Sequence, residues 1–221
     1  MKNPLTPTRS RAFALMILLA TAPISFARTE KDFFQNSDLA NGSNYLPSGL
    51  PNASNDVVFT TPEMALELSG TNLSMGSVNQ TGNQAYVVSN NDPGTTDSTL
   101  TLGSGDRINN VAPNPDDIIY VGGTTSTLAF QRLNGGDGIG VLRLDLSQTA
   151  GNFDVAGAGA TLNISANMSI AAITKIGDGT LNIGGSVAAL SGVFSVSQGT
   201  VNFLQGSMIN TFIILNVSNP N

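Results

Sequence analysis

The chain has 221 residues, a formal net charge of −6, and no Cys, His or Trp. Those absences exclude a thiolate nucleophile, a disulfide, Cys-ligated zinc and a Ser-His-Asp triad, leaving carboxylates, Lys, Arg, Tyr and hydroxyls as the available catalytic groups. With 40% hydrophobic and only 11% charged residues, the chain has the side chains for a core and too little charge for disorder.

The first element in chain order is a targeting segment. Lys2, Arg9 and Arg11 form a basic start, and AFALMILLATA (12–22) is an apolar run. Pro23 follows, with Ser25 and Ala27 as the small residues a signal peptidase needs. This is the pattern of a secretory signal peptide over 1–27, cleaved after Ala27. As a helix the run covers only ~16 Å, against ~30 Å for a bilayer core. The mature chain from Arg28 carries six basic and fifteen acidic residues, a net charge of −9. Scattered cations on an acidic chain argue against nucleic acid and anionic lipid as partners, because both need clustered Lys and Arg. No integral membrane span is expected in the mature chain.

Residues 28–56 lack any repeat and read as a linker or N-terminal cap. From 57 onward short alternations of apolar and polar residues recur: VVF (57–59), ALELSG (65–70), AYVVS (85–89), STLTLGSG (98–105), STLAF (126–130) and VLRLDL (141–146). Each is a candidate strand, since side chains of a strand alternate between its faces. Loops rich in Asn, Asp, Pro and Gly separate them, at 90–97, 109–117 and 133–140.

The pattern sharpens after residue 150. GATLNI (159–164), GTLNI (179–183) and GTVNF (199–203) align without gaps, with Thr161, Thr180 and Thr200 spaced 19 and 20 residues apart. Each follows another alternation: FDVA (153–156), ITKI (173–176) and FSVS (194–197). The unit is strand, glycine turn, strand and a looser return. Its phase predicts one face reading Leu162/Leu181/Val201 and Ile164/Ile183/Phe203, and the opposite face reading Asn163/Asn182/Asn202. Same-type residues at the same phase are what stacked coils require, and aligned Asn side chains can form amide ladders. The expected fold is therefore all-β, a parallel β-helix over 57–221; at about twenty residues per coil the mature chain would give about nine coils. A β-sandwich is the alternative, because strands at 8–12-residue spacing also suit that fold. The C-terminal GSMINTFIILNVSNPN starts a further coil without an evident cap, so an open edge or a truncated chain is expected.

The stretch KIGDGTLNIGG…SGVFSVSQGTVNF (175–203) resembles the autotransporter-associated β-strand repeat, also called the passenger-associated transport repeat, which reads roughly K-x-G-x-G-T-L-x-L-x-G. The resemblance implies a right-handed parallel β-helix exported to the cell surface, with no catalytic, cofactor or metal residues in the repeat. Autotransporters end in a membrane β-barrel, and nothing in this chain reads as one. The expectation is a passenger-like piece or a fragment.

Four groups of residues invite a chemical reading. LNGGDGIGVLRLD (133–145) is similar to a calcium-binding glycine loop. Gly135, Gly136 and Gly138 are in place, but Gly140 stands where a ligand Asp belongs, so a plain glycine turn is preferred. Asp137, Arg143 and Asp145 form a charged set, read as solvated, with Arg143 and Asp145 on one strand face. Asp116 and Asp117 are adjacent carboxylates expected to face solvent. Lys175 suggests a Ser–Lys dyad, which needs a desolvated Lys beside a positioned Ser. It is placed instead on the Thr/Lys side of ITKI as a surface residue. Asp178 is read as a corner residue, because the matching turns have Ala and Gln there. No phosphate-cradling GxGxxG occurs in 173–185.

These observations predict a secreted or surface-displayed, non-catalytic β-solenoid with a structural or adhesive role. Its partners would be cell-surface or matrix glycans or proteins. The alternatives are a fragment of a β-helical polysaccharide-active enzyme and a small β-sandwich binding module.

Overall fold

The computed structural model describes residues 29–35, 37–62, 64–90, 92, 96–103, 116–131, 140–146, 150–189, 193–204, 209–210 and 213–214. The expected signal peptide 1–27, half of the loop 90–97, most of the loops 109–117 and 133–140, and most of the C-terminal TFIIL stretch lie outside them. The described residues are nearly all-β, about 53% strand, with no α-helix among them.

Two short strands come first, β1 (Thr29–Phe33) and β2 (Tyr45–Leu46). The first circuit is β3 (Asn55–Phe59), β4 (Ala65–Glu67) and β5 (Leu73–Met75); the second is β6 (Ser77–Gln80), β7 (Ala85–Ser89) and β8 (Ser98–Leu102). The third is β9 (Asp117–Val121), β10 (Thr127–Phe130) and β11 (Leu142–Leu146); the fourth is β12 (Gly151–Val155), β13 (Thr161–Ile164) and β14 (Asn167–Ile170). The fifth is β15 (Ile173–Ile176), β16 (Thr180–Ile183) and β17 (Val187–Ala189). The sixth is β18 (Phe194–Val196), β19 (Thr200–Phe203) and β20 (Ile209–Asn210), and β21 (Ile213–Ile214) opens another.

Successive strands visit three sheets in fixed rotation. The first sheet runs β2-β1-β3-β6-β9-β12-β15-β18-β21, the second β19-β16-β13-β10-β7-β4, and the third β20-β17-β14-β11-β8-β5. Every named strand pairing is parallel except β1 with β2. This arrangement is compatible with a β-solenoid and excludes the antiparallel β-sandwich. The looser return inferred from sequence is the third strand of each circuit, as in NMSI of β14.

The second and third sheets each have six strands, so the described residues hold six complete circuits instead of about nine. Long connections absorb the difference. Val78 pairs with Ile119, 41 residues away, whereas Lys175 pairs with Val196, 21 away.

In the second sheet the register is the one the repeat implies. Thr161, Thr180 and Thr200 align, as do Leu162, Leu181 and Val201, then Asn163, Asn182 and Asn202, then Ile164, Ile183 and Phe203. Inward columns continue upstream as Tyr86–Leu128–Leu162 and Leu66–Val88–Phe130–Ile164. The third sheet contributes Leu73, Leu100, Leu144, Met168 and Val187. These side chains form one continuous buried cluster. Each Leu, Ile or Phe removed from water stabilises the stack by about 1.5–3 kcal/mol.

In the first sheet the alignment of FDVA with ITKI needs correction. Gly151, not Phe153, pairs with Ile173, and Phe153 lies against Lys175. The strand starts two residues before the apolar alternation, at Gly151 and Asn152, which hydropathy does not mark.

The corners impose their own requirement. Gly177 has φ +76°, and a Cβ there would come within 2.3 Å of the Val155 carbonyl oxygen. Gly177→Ala is expected to lower stability by at least about 2 kcal/mol, combining the left-handed penalty with the clash. A denaturant midpoint equal to that of the unchanged protein would show that the corner relaxes freely.

The two ends of the stack differ. At the start, β1 lies parallel against β3 and is itself covered by antiparallel β2. Leu39 donates its N–H to the Glu67 carbonyl (2.9 Å), and Glu67 donates to that of Ser37 (2.7 Å), which occupies the outer edge of β4. Phe33, Leu39 and Tyr45 are buried there, with ring centroids 5.1 Å apart for Phe33–Tyr45 and 6.1 Å for Phe33–Phe59. At the other end, Thr200, Asn202, Phe203 and Leu204 are exposed; beneath them Ile183 is buried under Phe203, while Thr180 and Asn182 are half-buried.

Candidate functional site

The residue that departs most from expectation is Lys175. Strand alternation puts it on the face of Ile173, not of Thr174, and its side chain is fully buried. The surface placement was therefore wrong: ITKI has no simple two-residue hydropathy period, and its inner face carries a cation. The ammonium donates to three main-chain carbonyls, those of Ile176 (2.5 Å), Gly177 (2.7 Å) and Gln198 (3.2 Å). It thus ties the glycine corner of the fifth circuit to the matching corner of the sixth. Burial pushes the Lys175 pKa down to about 8, against the opposing pull of the Asp154 and Asp178 carboxylates. A Ser–Lys dyad needs the amine to face a hydroxyl. The described bonds of this amine all go to carbonyls, so the geometry is that of a corner clamp.

Lys31 repeats the device at the other end. It occupies the same inward column, which reads Lys31, Val57, Val78, Ile119, Phe153, Lys175 and Val196 through successive strands. Its ammonium donates to the carbonyls of Pro47 (2.7 Å), Ser48 (3.4 Å) and Gly49 (3.1 Å). No motif marks Lys31 in the sequence; only the column relates it to Lys175.

The carboxylates are dispersed. Asp178 is exposed at its corner and accepts from Gln198 Nε2 at 2.5 Å, the equivalent corner one circuit on. Asp178→Ala is expected to shift stability by less than about 0.5 kcal/mol. A larger loss in thermal denaturation would mean that its charge is needed beside Lys175. Asp117 is fully buried and accepts from Asn152 Nδ2 at 3.3 Å, so it does not face solvent as expected; Asp116 does. A β-bulge at this pairing turns Asp117 inward beside Ile118. Tyr120 is pushed up by burial, with the Asp154 and Asp117 charges acting in the same direction.

Arg143 and Asp145 both stand on β11, but the partner of Arg143 is Asp97. Nε and Nη2 of Arg143 reach Asp97 Oδ2 at 3.1 and 2.8 Å, and Asp97 Oδ1 accepts from the Val141 N–H. Only the third dimension joins residues 46 apart in the chain. The pair is about half exposed, where such contacts add roughly 0–1 kcal/mol. Gly135, Gly136, Asp137 and Gly138 lie outside the described residues. Among the described residues no three acidic side chains gather as a metal-binding group.

The outward rows have a different chemistry. On the second sheet, Asn182 Nδ2 donates to Asn163 Oδ1 (2.7 Å) and Asn202 Nδ2 to Asn182 Oδ1 (2.8 Å), flanked by the Thr161/Thr180/Thr200 row. This is the amide ladder expected from the repeat. It fixes a hydrogen-bonding, uncharged strip across three circuits. The third sheet presents Thr99 and Thr101, Arg143 and Asp145, and Asn167 and Ser169 on successive strands. No protein-family model, curated protein or solved structure matches this chain.

Proposed function

We propose that this chain is an exported, surface-displayed and non-catalytic right-handed β-helix, similar to an autotransporter passenger, with a structural or adhesive role. Residues 1–27 act as its cleaved signal peptide. The observation that carries the reading is the division of labour between faces. The buried cations Lys31 and Lys175 hold main-chain corners, while over the last three circuits the outward rows of the second sheet are uncharged Thr and Asn side chains, the Asn hydrogen-bonded in a ladder. Such a strip offers many weak, repeated hydrogen bonds, which suit a glycan or a protein matrix better than a single small ligand. Loops at 90–97, 109–117 and 133–140 supply specificity.

The test is export and binding of the full chain in a bacterial host. N-terminal sequencing of the exported form is expected to begin at Arg28, and added protease is expected to reach the protein on intact cells. Immobilised neutral glycans are expected to retain it. Retention of the full precursor inside the cell would overturn the export reading. Cleavage of a uronic-acid polymer, lost in Arg143→Ala, would overturn the non-catalytic one.

A further inference from the structure

The outward face of the second sheet is a grid that repeats in two directions. Thr127, Thr161, Thr180 and Thr200 stand in one row on successive strands, and Asn163, Asn182 and Asn202 stand in a second row beside it. Successive strands lie ~4.8 Å apart, and the two rows, two residues apart along each strand, are separated by ~6.6 Å. The grid is stiff. Thr is β-branched and restricted at χ1, and the ladder bonds of 2.7 and 2.8 Å hold the Asn amides in one orientation. Thr161, Asn163, Thr180 and Asn182 are half-buried and Thr200 and Asn202 exposed, so the rows present their outer atoms to solvent.

A grid of this kind is complemented by a ligand that also repeats in two directions, which is a crystal face and not a dissolved sugar or peptide. Its chemistry narrows the choice. The two rows carry no charge, so they do not match the ions of a mineral. They carry no aromatic ring, the group on which the flat sugar faces of a crystalline polysaccharide stack. What they offer is methyl groups, hydroxyls and amides at fixed spacing. The oxygens of hexagonal ice repeat in a near-rectangular net with spacings close to both of these. Hydroxyls and amides donate and accept hydrogen bonds as a lattice water does, and the Thr methyls sit between them without competing. We infer that the second sheet binds the surface of ice through its rows of Thr and Asn. The side chains are ordered before contact, so little rotamer entropy is lost on binding. Mismatch between the two lattices accumulates over only three strand spacings. A patch this short is expected to slow recrystallisation and not to depress freezing deeply. The inference gives the strip a ligand beyond the adhesive reading and stands whether or not glycans are retained.

Growth of ice in the presence of the purified full mature chain, carrying a fluorescent label, tests it. The expected results are slowed recrystallisation of a frozen solution and labelled protein held on the surface of a single ice crystal. Thr180 has a Thr on either side of it in the row. Thr180→Tyr would hold ice away from the neighbouring side chains and is expected to abolish both effects without lowering the melting temperature of the protein. Ser169→Tyr places the same bulk on the outward face of the third sheet and is expected to keep both. Thr180→Ser keeps the hydroxyl and loses the methyl; it is expected to weaken both effects, and it serves as the probe if the tyrosine disturbs folding. Recrystallisation unslowed by the unchanged chain, an unaltered effect in Thr180→Tyr or in Thr180→Ser, an equal loss in Ser169→Tyr, or retention on microcrystalline cellulose or chitin with none on ice would each overturn the inference.

Discussion

Leu181→Asp is expected to unfold the last circuits of the stack while leaving the first ones in place. Leu181 is fully buried between Leu162 and Val201 in the inner column of the second sheet. The substitution removes an apolar side chain whose truncation alone costs about 2–5 kcal/mol, and it adds a carboxylate with no described cation on its face. Together these fall on the fifth and sixth circuits, because each strand pairs only with the strands directly above and below it. Stability in such arrays is a sum over neighbours, so damage stays local. Amide hydrogen exchange is the measurement: protection is expected to vanish from β15 to β19 and to persist from β3 to β8. Uniform loss along the whole chain would show that the stack melts as one unit. Full protection of β16 would show that the column does not hold it.

Between about pH 8 and pH 10 the protein is expected to become more stable, the reverse of ordinary alkaline behaviour. The cause is Lys175, whose pKa burial lowers from 10.5 to about 8. Within that window the unfolded chain binds the proton and the folded chain does not, so stability rises with pH. The full difference is worth about 3 kcal/mol at 1.36 kcal/mol per pKa unit. Tyr45, Tyr86 and Tyr120 act oppositely: burial raises each above its ordinary value of 10.0. Their contribution is present below pH 10 and lost above it as the unfolded tyrosines ionise, so the curve should turn over near there. Denaturant midpoints across this range provide the test. Lys175→Met is expected to abolish the rise and keep the fall. A profile that falls steadily from pH 8 in the unchanged protein would contradict the burial of the amine.

The second sheet was legible in the sequence because Thr, an apolar residue, Asn and an apolar residue recur three times at nearly constant spacing. Spacing, phase and the amide ladder all followed from those four positions. The first sheet was not legible to the same degree. Its inner column contains Lys31 and Lys175, and a hydropathy reading assigns both to solvent. Only main-chain carbonyls brought together by the fold make those positions acceptable to a charge. The Arg143–Asp97 contact was hidden for a different reason: it joins β11 to the start of β8 across an inserted loop, whereas sequence reasoning looked two residues away, to Asp145. β1 was missed because its strand TEKDF carries Thr, Glu and Asp beside its buried Lys31 and Phe33. Its apolar content is too small to register, although its pairing with β3 spans five residues.

The unequal separations between paired strands have an engineering consequence. Ile119 meets Val78 across 41 residues and Val196 meets Lys175 across 21, yet both pairs occupy the same inner column. Lengthening a closed loop raises its entropy only logarithmically, about 0.6 kcal/mol for each doubling. The corners between circuits are therefore expected to accept foreign peptides with little loss, and segments grafted at different corners would be held at heights that rise by ~4.8 Å per circuit. The molecule is in this sense a graduated ruler, whose markings can be rewritten without altering the spacing between them.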